Sequence, residues 1–174
     1  LDFREITRER PSLKGTTAAQ VLKPLGYRTA FISAGDNDFS NQSALLKDRG
    51  FDVVWDYRHT GQTPHFSWGV ADRHLVDMTL EFIDQAAQKP FCIYAWTQGT
   101  HHNYEPYPGQ EIVEFPVDEN KWKAMSWDLG RYLNALREED RQVGRLLDEL
   151  RARKLDQDTL VVITGDHGEA FGFP

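Results

Sequence analysis

The chain has 174 residues, 40% of them apolar and 27% charged, with 27 acids against 20 bases and a net charge of −7. That is one domain's length, with enough apolar material for a sizeable core and a composition unlike that of a disordered segment. The acidic balance excludes the footprint of a nucleic-acid binder, and the single cysteine, Cys92, excludes an intrachain disulfide framework.

No apolar run is long enough for a signal peptide or a membrane span. The chain begins at Leu1 and stops at Pro174, just past its most loaded motif, so it reads as a piece of a larger protein. A segment upstream is where a membrane attachment would lie, and an extracytoplasmic or membrane-anchored full-length protein fits that reading.

In chain order, residues 1–14 read as charged and irregular. Thr16 or Thr17 caps a helix through Lys23 that Pro24 and Gly26 stop. Tyr27 to Ile32 is a strand, and the loop beyond it carries Asp36 and Asp38, site candidates by position or ordinary turn residues. A short helix over Ser43–Arg49 leads to a second strand at Phe51–Trp55. The loop that follows holds His59, His65 and Trp68, with no ligand spacing. Residues 70–88 form an amphipathic helix with Leu75, Met78, Thr79, Phe82 and Ile83 on one face. Phe91 to Trp96 is a third strand, in which Cys92 packs as a core residue.

Beyond the third strand stands Thr97-Gln98-Gly99-Thr100-His101-His102-Asn103-Tyr104, with two histidines at a carboxyl end. An imidazole there can ligate a metal, donate to an anionic ester or protonate a leaving group. A proline-rich acidic excursion follows. Residues 131–154 read as a long helix with the stripe Leu133, Leu136, Val143, Leu147 and Leu150. Asp140 falls inside that stripe and is expected to need a buried hydrogen-bond partner.

The last stretch organises the rest. Thr159 to Thr164 reads as a buried strand running into Gly165-Asp166-His167-Gly168-Glu169. In open α/β sheets ligands bind beyond the carboxyl ends of the strands, and a carboxylate beside an imidazole is a partial shell for a divalent cation. Alternating helices and strands predict an α/β fold with a mostly parallel sheet flanked by helices on both faces.

Four segments carry a resemblance: T-L-V-V-I-T-G-D-H-G-E-A-F-G, W-T-Q-G-T-H-H-N-Y, L-G-Y-R-T-A-F-I-S-A-G-D and Y-L-N-A-L-R-E-E-D-R-Q-V-G-R-L-L-D-E-L. In order and spacing they resemble the sulfatase family of the alkaline phosphatase-like superfamily, with Asn103 where the family usually has proline. The resemblance implies that residues 1–174 are a partial sulfatase-like catalytic domain. It implies Asp166 and His167 as ligands of a catalytic divalent cation, Ca²⁺ or Mn²⁺ being favoured, and His101 as the group on the sulfate or phosphate ester substrate. His102 is the lesser alternative.

The family's nucleophile, a formylglycine or a threonine, lies upstream of the G-Y-R-T-A strand, and neither Cys92 nor any serine or threonine here sits in its motif. The 174 residues alone are therefore expected to be inactive. Phe39-Ser40-Asn41-Gln42 lacks the Trp and Arg of the F-W-N-R-like segment typical of lipoteichoic acid synthases. That leans toward a sulfate-ester hydrolase, with a phosphoglycerol or phosphoethanolamine-type transferase acting on lipid or glycan, or a non-catalytic sulfatase-like domain, as the competing readings.

Overall fold

The computed structural model describes residues 6–10, 12–65, 69–86, 89–116, 126–168 and 171. Trp68 and Glu169 lie outside them. The chain divides into two compact units, residues 1–98 and 99–174.

In the first unit, α1 (Ile6–Glu9) precedes α2 (Ala18–Leu22), which starts where the sequence places its cap. Thr17 accepts the Gln20 N–H at 3.1 Å, and the Gln20 side chain accepts the Thr17 N–H at 3.0 Å, a reciprocal capping box. A 3₁₀ turn over Lys23–Leu25 follows, and Gly26, at φ 90°, ends it in the left-handed conformation that glycine adopts without penalty.

Strands β1 (Arg28–Ser33), β2 (Val53–Trp55) and β3 (Phe91–Trp96) form a parallel sheet in the order β2-β1-β3. Ala30 pairs with Val53 on one side and with Ile93 on the other. The central strand β1 is buried from Thr29 onward, as expected of a parallel strand covered on both faces. α3 (Gln42–Leu46) lies between β1 and β2.

α4 (Asp72–Gln85) covers one face of the sheet. Its predicted apolar face is the observed one, with Leu75, Met78 and Phe82 joining Ala30, Ile32, Ala34 and Val70 in the core. On the opposite face Phe31 meets Phe51 and Trp96 edge-on, each with centroids 5.8 Å apart.

The second unit is built on α5 (Ser126–Ala152). Its core cluster is Tyr104, Ala135 and Phe171, with Leu129 and Tyr132 packed against it. The buried polar residues of α5 are Asn134, Glu138 and Gln142, spaced four apart on one face. Asp140, expected to be buried, is exposed, and Leu136 of the predicted stripe is 39% exposed. Near neighbours satisfy most of the buried row, although Gln142 Oε1 has no hydrogen-bond partner among the described residues. Glu138 accepts bonds from Arg141 at 2.9 Å and from the Gln142 amide at 2.7 Å.

The largest departure concerns residues 159–164. They take no strand conformation, and Leu160, Val162 and Ile163 are 88%, 75% and 67% exposed. A run of β-branched residues sets the preference for a strand, but a strand exists only where another edge accepts its backbone hydrogen bonds. Among the described residues the sheet therefore has three strands, not the four expected. No helix among them is long and apolar enough to cross a membrane.

Candidate functional site

The candidate residues fall on two loops of the second unit. The first leaves β3 and carries His101. Its imidazole is exposed, and Nδ1 lies 2.6 Å from the His102 carbonyl oxygen. A carbonyl can only accept, so Nδ1 carries the proton and Nε2 is the nitrogen with the lone pair in the neutral ring. His102, also exposed, meets the Tyr104 ring edge-on with centroids 5.5 Å apart.

The second loop carries Asp166 and His167. Both side chains are exposed, 71% and 72%, with His167 Nε2 3.8 Å from Asp166 Oδ2. The loop is shaped locally. Asp166 Oδ1 accepts the His167 N–H at 3.0 Å, and His167 Nδ1 sits 2.9 Å from the Gly168 carbonyl oxygen. The same tautomer results, with the lone pair on Nε2. Two hard carboxylate oxygens and one imidazole nitrogen on adjacent residues are chemically suited to a divalent cation. They supply only part of a shell: among the described residues no group of three or more His, Cys, Asp or Glu is arranged to hold a metal.

One aromatic cluster organises both loops. Tyr104, three residues after His101, and Phe171, four residues after His167, pack together at 6.0 Å, and both meet Tyr132 of α5, at 5.3 and 5.0 Å. Residues more than sixty apart in sequence are thus anchored to one turn of one helix. The segment after His101 is fastened further along. Asn134 accepts the Val113 N–H at 2.8 Å and donates to the Val113 carbonyl at 2.9 Å, and Gln110 donates to the Asn134 carbonyl at 3.1 Å. Tyr104, Tyr107, Ile112, Arg131 and Ala135 line a small cleft there.

In the first unit, the carboxyl ends of β1 and β2 hold a group that sequence reading caught only in part. Asp36 and Asp38, candidates by position, both bond Arg58, together with Asp56. Burial works against the charge of Arg58, but Asp56 and Asp36, then Asp38, outweigh it and hold the guanidinium above its usual pKa. His59, read as a loop residue, instead lies in a 3₁₀ helix over Tyr57–Thr60, stacks on Trp55 with centroids 3.9 Å apart and bonds Glu81 at 3.0 Å.

Asp72, at the start of α4 and 2% exposed, accepts the Gln98 N–H at 2.9 Å. It thereby ties the helix to the segment leaving β3. Nothing in the sequence flagged it beyond its place in the first turn of a helix. Burial raises the pKa of the Cys92 thiol, so it stays protonated, as suits a packing residue rather than a nucleophile.

Comparison with known proteins bears on the family and the fold. The Sulfatase family model matches residues 5–173. Phosphoglycerol transferase I of Xanthomonas campestris pv. campestris is 32% identical over 154 residues, covering 84% of this chain and 21% of its own length. The N-acetylgalactosamine-6-sulfatase of Canis lupus familiaris is 33% identical over 93 residues, 52% of this chain and 15% of its own. The crystal structure of the lipoteichoic acid synthase LtaP from Listeria monocytogenes superposes with a TM-score of 0.74 at 17% identity, covering 88% of this chain and 37% of that one.

The chain thus spans about a fifth of the length of the transferase it matches. Its parallel sheet and flanking helices are an alkaline phosphatase-like fold. With a family match that runs from before α1 to beyond the Asp166–His167 loop, the chain belongs to the Sulfatase family.

Proposed function

We propose that the full-length protein is a metal-dependent hydrolase of sulfate esters, and that these residues supply part of its active site. The observation that carries this reading is the family match over residues 5–173 together with the adjacent oxygen and nitrogen donors of Asp166 and His167. In this reading Asp166 and the Nε2 of His167 hold the cation. A bound divalent cation neutralises charge on the ester oxygens and polarises the bond to the leaving oxygen. His101, with Nδ1 held by the His102 carbonyl, presents Nε2 to the ester, and in its protonated form donates there to an ester oxygen. The substrate is an anionic ester rather than a nucleic acid, in keeping with the net charge of −7.

A second reading, transfer of phosphoglycerol or a related phosphoryl group to lipid or glycan, is favoured by one specific observation. It is the 32% identity to phosphoglycerol transferase I over 84% of the chain, which weighs against the lean drawn from Phe39–Gln42. Membrane association through an upstream segment belongs with this second reading.

The deciding experiment uses the full-length protein with Ca²⁺ or Mn²⁺. It assays 4-nitrophenyl sulfate beside a phosphoglycerol-bearing lipid, and mass spectrometry identifies the nucleophile. Sulfate release with a formylglycine nucleophile supports the first reading. Phosphoglycerol transfer from a threonine replaces it with the second, and no metal-dependent turnover of either sinks both.

A further inference from the structure

The two edges of the parallel sheet are built differently. β2 is three residues long and is flanked by Asp52 and Asp56, and shortness and charge are the means by which an outer strand is kept from pairing further. β3 is six residues long, F-C-I-Y-A-W, with neither charge nor proline. It pairs with β1 residue for residue from Phe91 to Trp96, without a bulge. In the order β2-β1-β3 its other side has no strand among the described residues.

Backbone parity identifies the groups on that open side. The Arg28 N–H bonds the Pro90 carbonyl at 2.8 Å, and the Ala34 N–H bonds the Trp96 carbonyl at 3.1 Å. Positions 90, 92, 94 and 96 therefore turn their peptide groups toward β1. The N–H and C=O of Phe91, Ile93 and Ala95 point the other way. Three donors and three acceptors in a row on an apolar strand are a template for one more strand.

The side chains tell the same story. Phe91 and Ile93 pack against the core that includes α4. Tyr94 meets Phe51 at 5.6 Å and Trp96 meets Phe31 at 5.8 Å, yet the two remain 43% and 40% exposed. Continuous apolar runs of this kind belong to parallel strands that are buried on both faces.

We infer that β3 is an interior strand of the full-length protein's sheet, and that its open edge takes a further parallel strand from the part of that protein outside residues 1–174. The added strand runs parallel because both existing pairings do, and purely parallel sheets are favoured over chance mixtures. The relatives have chain to supply it: the matched stretch is 21% of the length of phosphoglycerol transferase I and 37% of the LtaP chain. A parallel strand beside β3 ends at the same end of the sheet, where α/β proteins hold ligands. Whatever follows it is thereby delivered to the end of the sheet from which the segment bearing His101 departs. The inference stands apart from the choice between sulfate and phosphoglycerol esters.

The test uses the full-length protein. Residue-resolved amide exchange compares Ile93 and Ala95, whose N–H groups face the open edge, with Tyr94, whose N–H faces β1. The three rates are expected to agree within about tenfold. Faster exchange of Ile93 and Ala95 by more than that means a bare edge and overturns the inference. Photo-crosslinking from the exposed position 95 then identifies the partner by mass spectrometry, using Ala95→p-benzoylphenylalanine or, should that variant fail to fold, a smaller diazirine side chain there. A peptide of the same molecule from outside residues 1–174 is the expected product. A product with residues 159–164, which have a strand's composition, gives the edge to this segment instead and overturns the inference. So does a product with an isotope-labelled second copy, or no product at all.

Discussion

The buried polar groups beside the sheet and the candidate site residues of the second unit are held in opposite ways. Around the sheet, polar side chains are matched and inward: Thr29 is fully buried and bonds Gly50 and Asp52, and Asp72 is buried against the Gln98 amide. In the second unit the chemically capable residues, His101, Asp166 and His167, are exposed and are held through their backbone neighbours. The residues that hold the fold and the candidate site residues are thus different ones. A side chain that holds the fold is surrounded, and a side chain that must meet a ligand is fixed by what flanks it.

That contrast is sharpest in its largest expected effects. If the function proposed above holds, Asp166→Asn in the metal-loaded full-length protein is expected to lower kcat/KM by about a thousandfold, since losing a ligand would remove much of the several kcal/mol a catalytic cation supplies. The melting temperature of the metal-free protein should hardly move. A steep loss of stability instead would mean that the exposed aspartate is structural and would break the comparison.

Phe82→Ala is the converse. The ring is fully buried, meets Trp55 edge-on at 6.0 Å and carries the Arg28 guanidinium 5.3 Å from its centroid. Chemical denaturation should show a loss of about 3–5 kcal/mol. Thr17→Ala removes the capping box and the bond from Thr17 Oγ1 to the Arg49 carbonyl at 2.6 Å. It should cost about 1 kcal/mol by the same measurement.

The smallest effect is a pH dependence. Burial works to raise the pKa of Asp52, but Lys23, bonded at 2.7 Å, and Thr29 outweigh it and hold the carboxyl below its ordinary value of 3.8. The unfolded chain then takes up the proton first as pH falls. The contribution is therefore complete above about pH 4 and is lost as pH drops through the folded-state pKa. Asp52→Asn should flatten that acid limb of the stability curve and leave its neutral region nearly unchanged in slope.

The sheet and α4 were legible from their patterns. β3 is a continuous apolar run, β1 carries Ala30-Phe31-Ile32 at its centre, and α4 places Leu75, Met78 and Phe82 at helical spacing. The capping of α2 was readable from Thr17 and its neighbours. What periodicity missed depends on partners. Thr159–Thr164 has a strand's composition but no backbone partner among the described residues. In α5 short-range bonds from Arg141 and Gln142 make Glu138 tolerable inside while Asp140 faces out. The triad of aspartates on Arg58 joins positions 36 and 58, and no local pattern announces a contact across twenty-two residues. Of the site, the residue types were readable, and the aromatic clamp of Tyr104, Tyr132 and Phe171 was not, since its members are scattered through the chain.

The bare run from Leu160 to Ile163 has a practical consequence for anyone who prepares this polypeptide. Four consecutive apolar residues, three of them β-branched, with neither charge nor proline, are the kind of segment that stacks with copies of itself into cross-β assemblies. The surplus of seven negative charges works against such encounters at low salt, and added electrolyte screens it. Colloidal lifetime in concentrated stocks should therefore shorten as ionic strength rises, and a single lysine in place of Val162 should lengthen it.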